Sequence, residues 1–239
     1  MDSLMTCLAE LVVANRILAR EGVVDAFGHI SVRSPDNPER YFMSRSRAPE
    51  LITRDDLMEF KLDGEAIDLQ DRTPYGERFI HGSIYEKRPD VHSVIHNHSH
   101  EIIPFGATKN ITLRPVAHVG SPIGHNVQTW DIRDKFGETD LLVVNMDQGR
   151  DLAATLGNGR VALMRGHGAV VAGSNIRNTV MTAVYLQVNA KLQLMTLQLG
   201  EPIYLSDAEI DNCFERQTSP LATDRAWEYW VSRAGVGNL

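Results

Sequence analysis

Residues 76–98 read GERFIHGSIYEKRPDVHSVIHNH. The first half has the 3.6-residue apolar rhythm of an amphipathic helix. It must stop before Pro89, because proline lacks the amide the helix needs and disfavours helical geometry in the residue before it. The second half, SVIHNH, is short, β-branched and apolar, and is predicted to be a strand. In a strand, residues i and i+2 point to the same side. His96 and His98 therefore leave the end of an apolar strand together, which suits a metal ion, although such pairs also arise on solvated strand ends. His92 shares their parity and is expected to face solvent, and His100 to begin the next helix. Glu77 lies early in the helix, where glutamates commonly just solvate the surface.

Upstream, a first helix is predicted from about Ser3 to Arg20, with Leu4, Leu8, Leu11, Val12 and Leu18 near one face and Gly22 as its stop. HISVR from His29, RYFMS from Arg40 and LMEFKL from Leu57 read as strands, the last closing on an Asp63–Gly64 turn. Downstream, ITLRPVAHV reads as a strand that Pro115 confines to an edge or bulge. LLVV from Leu141 and RVALM from Arg160 read as core strands, and GAVVAG follows across Gly166-His167-Gly168. Helices are predicted over Ile176 to Leu199 and Asp224 to Arg233, and residues 120–139 as an irregular loop. Strands and helices mix without a βαβ repeat. The predicted fold class is α/β, a three-layer sandwich with a mixed sheet covered by helices on both faces, as a single domain over residues 1–239.

Of the 239 residues, 43% are hydrophobic and 23% charged, with a net charge of -7 and no basic stripe, so nucleic acid is a poor partner. Cys7 and Cys213 are too few and too far apart for a disulfide scaffold, and a reducing compartment fits them. The N-terminal stretch carries Asp2, Glu10, Arg16, Arg20 and Glu21 within its apolar rhythm and has no signal-peptide layout. No run approaches the roughly 18 apolar residues of a membrane span. The expected location is the cytoplasm, with no membrane partner.

Gly166-His167-Gly168, between two apolar strands, permits unusual backbone angles and can present its histidine to a neighbouring strand end, or simply leave it wet in a hairpin turn. The three features gain weight together. Three histidines leave coordination positions open on a divalent ion, as in catalytic sites, and a nearby carboxylate can move protons.

The ordered set of Glu77, Tyr85, Arg88-Pro89-Asp90, His96-Asn97-His98 and Gly166-His167-Gly168 resembles the class II aldolase/adducin family, from the first helix to about residue 200. The resemblance implies a mostly antiparallel sheet and a cyclic homotetramer with active sites between subunits. It implies His96, His98 and His167 as metal ligands and Glu77 as catalytic acid/base. The implied cofactor is one divalent ion per chain, zinc or manganese foremost, with cobalt or iron also compatible.

The chain departs from the sugar-phosphate aldolases of that family where they hold phosphate. Their Gly-Asn, Thr-Gly and Ser-Ser pairs are replaced by Gly28-His29, about Arg45-Ser46, and Tyr75-Gly76. His29, Arg45 and Ser46 suit a carboxylate, by charge-assisted hydrogen bonds, although Arg45 and Arg47 also fit plain surface charges. His118 falls near where the family reaches toward a neighbouring subunit's site. The blocks DAFGHISVR, MSRSRAPELIT, ERFIHGSIYEKRPDV and RGHGAVV resemble a branch containing decarboxylases of hydroxylated aromatic or pyridine dicarboxylates, such as dihydroxyphthalate. The expected activity is a metal-dependent carbon–carbon lyase, a decarboxylase of a small carboxylate, with Glu77 working best at a raised pKa in a partly dry cleft. Aldol cleavage or epimerisation of an unphosphorylated sugar or hydroxy acid is the enzymatic alternative. A metal-free interaction domain like the adducin head is the non-enzymatic one.

Overall fold

A strand buried on both faces needs a helix layer on each side, and the burial string of HISVR, buried at every position, has that form. The computed structural model describes residues 3–236; residues 1, 2 and 237–239, at the ends of the expected domain, lie outside the described residues. In chain order the elements are α1 (Ser3–Arg20), β1 (His29–Arg33), β2 (Arg40–Ser44), β3 (Leu57–Lys61), α2 (Arg78–Lys87), β4 (Ser93–Asn97), α3 (Ile103–Gly106), β5 (Gln128–Trp130), α4 (Arg133–Phe136), α5 (Met146–Leu156), β6 (Val161–Met164), β7 (Gly168–Gly173), α6 (Ile176–Leu199), α7 (Asp207–Gln217) and α8 (Pro220–Ala234). The strands form one seven-stranded sheet in the order β3-β2-β1-β4-β7-β6-β5. Every pairing is antiparallel except β5 with β6, so the sheet is mixed and mostly antiparallel, as expected.

The strands' period of two sends alternate residues to two separate cores. Ile30, Val32, Ile95, Val161, Leu163, Ala169 and Val171 pack with α1, α6 and α8, including Trp227 and Trp230. Tyr41, Met43, Met58, Phe60, Val94, Ala162 and Val170 pack with α2 and α5, through Ile80, Ile84, Leu152 and Leu156. This is the three-layer arrangement. No helix among the described residues is long and apolar enough to cross a membrane.

Local chemistry explains the helix ends. Asn175 caps α6 by accepting from the Asn178 amide, Ser206 and Glu209 form a reciprocal capping box on α7, and Ser219 caps α8 ahead of Pro220. The last helix therefore begins before the expected Asp224, because its cap lies five residues upstream.

Two expected strands are absent. ITLRPVAHV joins no ladder; its backbone is tied to side chains of α6 instead. Gln193 accepts from the Arg114 amide and donates to Thr112 O, while Asn189 accepts from the Val116 amide and donates to Arg114 O. Residues 141–144 are irregular too. Leu141 has a φ of 70°, outside the extended region, and Leu142 and Val144 are 40% and 45% exposed. The expected loop over 120–139 holds the edge strand β5 and the short helix α4.

Candidate metal centre

Sheet register assembles the site. In the antiparallel ladders His96 lies opposite His29 on β1 and opposite Val170 on β7. Val94 packs in the α2/α5 core, so by parity His96 and His98 project to that same face. The β6–β7 hairpin turns through Arg165-Gly166-His167, with Gly166 at φ 64° and the His167 amide bonded to Met164 O. The glycine after it admits close approach: a Cβ at Gly168 would stand 2.0 Å from the Asn97 carbonyl oxygen. The turn thereby swings His167 over the end of β4. Glu77 caps α2 but makes no side-chain cap bond. Its Oε1 accepts from the Val143 amide at 3.0 Å, and its Oε2 faces the imidazoles.

Glu77, His96, His98 and His167 each offer one ligand atom, all within 4.8 Å of one another. His96 Nε2 lies 2.8 Å from His98 Nε2, and Glu77 Oε2 lies 3.4 Å from His96 Nε2 and 3.6 Å from His167 Nε2. Two of the rings are oriented from behind. His96 Nδ1 bonds the Ala169 carbonyl at 3.1 Å, and His167 Nδ1 bonds the Leu141 carbonyl at 3.0 Å. A carbonyl only accepts, so both Nδ1 atoms carry hydrogen and both Nε2 atoms keep their lone pairs for the centre of the cluster, the usual outer support of metal-bound histidines. Leu141 holds its carbonyl there from a left-handed backbone, sparsely populated for a non-glycine residue and typical of functional sites.

The electrostatics fit a cation. Burial, then the charges of neighbouring histidines, lower His98 and His167 to about 4, so both rings are neutral near pH 7. Burial alone would raise Glu77. The imidazoles of His96 and His167, with the Val143 amide, outweigh it and hold the carboxyl at about 2. The expected raised pKa is not found, because imidazoles crowd this carboxylate rather than apolar walls. An ionised carboxylate beside imidazole nitrogens is a donor set for a borderline divalent ion.

The residues expected at the substrate separate into two groups. His29 is in the site: its ring lies 5.2 Å from that of His96 and 4.7 Å from that of Tyr75, centroid to centroid. The other three have partners elsewhere. Arg45 Nε binds Asp56 Oδ1 at 2.6 Å, beside an Arg47 bond to Asp56 Oδ2 at 2.8 Å. Ser46 is exposed, its amide bonded to Thr73 O. His118 is exposed and bonded through Nδ1 to Gln217 of α7 at 2.9 Å.

Sequence reasoning missed the polar residues behind His29. His81 Nε2 lies 2.7 Å from His29 Nδ1, Ser31 Oγ lies 2.6 Å from His81 Nδ1, and Tyr85 Oη lies 2.7 Å from Ser31 Oγ. Two periodicities marked them: His29, Ser31 and Arg33 alternate along β1, and Glu77, His81 and Tyr85 recur every four residues along α2. A polar strand face and a polar helix stripe that are both buried must meet each other.

Residues 9–194 match the family described as Class II Aldolase and Adducin N-terminal domain. The chain is 33% identical to the decarboxylase tropJ of Talaromyces stipitatus, over 93% of this chain and 92% of that protein. It is 24% identical to the 3,4-dihydroxyphthalate decarboxylase of Arthrobacter keyseri over the same shares. It is 27% identical to the L-fuculose phosphate aldolase of Escherichia coli, over 65% of this chain and 69% of that one. Among solved structures, an aldolase II superfamily protein from Pseudomonas syringae superposes with a TM-score of 0.81 at 19% identity, covering 100% of this chain and 95% of that chain. By its matched residues, its sheet and its full-length relative, the chain belongs to the class II aldolase and adducin family.

Proposed function

We propose that this protein is a divalent-metal-dependent carbon–carbon lyase that decarboxylates a hydroxylated aromatic or pyridine carboxylate of the dihydroxyphthalate type. The observation that carries the reading is the convergence of His96, His98, His167 and Glu77 within 4.8 Å. The decarboxylase reading draws its support from a 33% identical relative named a decarboxylase. His96, His98 and His167 would hold the ion, with Glu77 close enough to serve as a further donor. A zinc or manganese ion bound there would supply Lewis acidity toward the substrate's oxygens.

The chain's own groups divide the remaining work. Loss of CO₂ leaves an electron pair on a ring carbon, and that carbon must gain a proton. Glu77, an ionised carboxylate beside the imidazoles, takes the proton of the substrate's neighbouring hydroxyl and returns it to the ring carbon. His29 and Tyr75 form the adjoining wall, where phosphate-holding pairs stand in the sugar-phosphate aldolases. Arg45 acts from the rim, since its Nε is already bonded to Asp56. Ser46 lies beside it, and His118 is assigned to the site of a neighbouring subunit in a homo-oligomer, a tetramer by family. A cytoplasmic location agrees with two unpaired cysteines.

Aldol cleavage or epimerisation of an unphosphorylated sugar or hydroxy acid is the second reading, favoured by the 27% identical aldolase. A metal-free interaction domain has no use for four converging donors. The test is CO₂ release by the zinc- or manganese-loaded protein across hydroxylated aromatic and pyridine dicarboxylates, run beside cleavage of sugars and sugar phosphates. CO₂ from an ortho-hydroxy aromatic acid is expected. Cleavage of a sugar phosphate with no CO₂ from any aromatic acid would overturn the decarboxylase reading.

A further inference from the structure

Four buried side chains lie end to end behind the site: Tyr85, Ser31, His81 and His29. Their bonds are 2.7, 2.6 and 2.7 Å long, and none of the four residues is more than 3% exposed. Each hydroxyl has one hydrogen, and each neutral imidazole has one. His81 is fully buried between a hydroxyl and another imidazole, with no carboxylate bonded to it, and is neutral.

Only two directions of donation run through such a chain. If His29 donates from Nδ1, then His81 donates from Nδ1 to Ser31, and Ser31 donates to Tyr85. The buried phenol hydrogen is then left without an acceptor, since the other group at the phenol oxygen is the Val94 amide, itself a donor. In the opposite direction the hydrogens of Tyr85, Ser31 and His81 are all matched, and only His29 keeps a hydrogen to offer outside the chain. Tyr85 donates to Ser31, Ser31 to His81 Nδ1, and His81 Nε2–H to His29 Nδ1. Burial pushes the Tyr85 phenol up, so it keeps its hydrogen. Arg33, whose guanidinium lies 4.8 Å over the Tyr85 ring, is itself fastened to the carbonyls of Val91, Tyr85 and Arg88.

We infer that the buried chain Tyr85–Ser31–His81 fixes His29 in the tautomer that carries its hydrogen on Nε2, making His29 an oriented hydrogen-bond donor to a carboxylate of the substrate. Tyr85, Ser31 and His81 are positioning residues: they act through His29. The donor role rests on the proposed carboxylate substrate; the tautomer does not. His29 accepts at Nδ1 and so has one hydrogen left to offer, on the nitrogen directed away from His81. A lone pair there would repel a carboxylate.

The test is a long-range ¹H–¹⁵N correlation spectrum of the zinc-loaded protein labelled in its histidines, with the His29 and His81 rings assigned by H29Q and H81Q. Both rings should show the Nε2–H pattern. In Y85F and S31A the second tautomer of His29 should appear alongside the first. Phthalate should shift the His29 Nε2 signal, and its dissociation constant should rise about ten-fold in H81F, the size of one hydrogen bond to a charged group. An Nδ1–H pattern for His29 in the unaltered protein would overturn the inference, with no variant needed beyond the two used for assignment. So would an unchanged single tautomer in both Y85F and S31A. A His29 signal that ignores phthalate would overturn the donor role. Absence of CO₂ release in the activity panel would strike the decarboxylase reading alone and leave the tautomer standing.

Discussion

The two faces of the sheet are built on opposite plans. Toward α1, α6 and α8, strand β1 shows Ile30 and Val32, and β4 shows Ile95, all packed in an apolar core. Toward α2, the same strand shows His29, Ser31 and Arg33, all buried, and β4 carries His96 next to its last residue. The first face is held by area removed from water. The second keeps polar groups in the dry interior, where each must find a partner or lose the free energy of its hydration. Most do: the His29–His81–Ser31–Tyr85 chain, the Arg33 carbonyl contacts and the Nδ1 bonds of His96 and His167 account for them. Apolar packing and buried polar bonding are thus divided between layers that share one set of strands. A change on one face should leave the other's property intact.

The largest effect expected is on the polar face. His96→Ala, His98→Ala or His167→Ala should abolish metal retention, measured by elemental analysis of the purified protein, and activity with it. Full occupancy in all three variants would sink the ligand assignment. On the apolar face, Leu186→Ala in α6 removes a side chain that is 0% exposed. It should lower unfolding free energy by about 2–5 kcal/mol, measured in urea, with metal content unchanged. If metal were lost from the folded variant, the division between faces would fail. Glu77→Gln keeps the shape and removes the titrating group; turnover should fall at least about 10²-fold with the metal still bound, and near-normal turnover would assign the proton to another residue.

Smaller effects belong to the rim. Burial tends to raise Asp56, but bonds from Thr53, Arg45 and Arg47 outweigh it and hold the carboxyl at about 2, against an ordinary 3.8. The folded value lies below the unfolded one, so the stabilisation is present above about pH 4 and is lost as pH falls through about 2. Asp56→Asn should cost about 2 kcal/mol at neutral pH, and the gap from the unaltered protein should close on acidification. A gap independent of pH would show that the ion pairs are not its source. Arg45→Ala should be the mildest change for catalysis. An exposed ion-pairing group contributes under about 1 kcal/mol, so KM for an anionic substrate should rise by only a few-fold with kcat kept. A hundred-fold rise would return Arg45 to the centre of the site.

Where chemistry was local, residues 76–98 and their neighbours were legible. Period-two strands such as HISVR and RYFMS, the Pro89 stop and the Ile176–Leu199 helix follow from the side chains' own rhythm and caps. So did the pairing of His96 with His98, since i and i+2 share a side in any extended chain. The apolar run at 141–144 and the stretch at 111–119 have the composition of strands, but nothing in their own residues tells where their backbone bonds go. Those bonds were claimed by Glu77 and His167 in the first case and by Asn189 and Gln193 in the second, all distant in sequence. The lowered carboxyl of Glu77, the withdrawal of Arg45 to Asp56 and the joining of His81 to His29 were decided in the same way. Periodicity assigns each side chain to a face of its own element. Which faces meet, and so which buried polar group becomes another's partner, depends on the packing of the layers, and only the tertiary structure decides it.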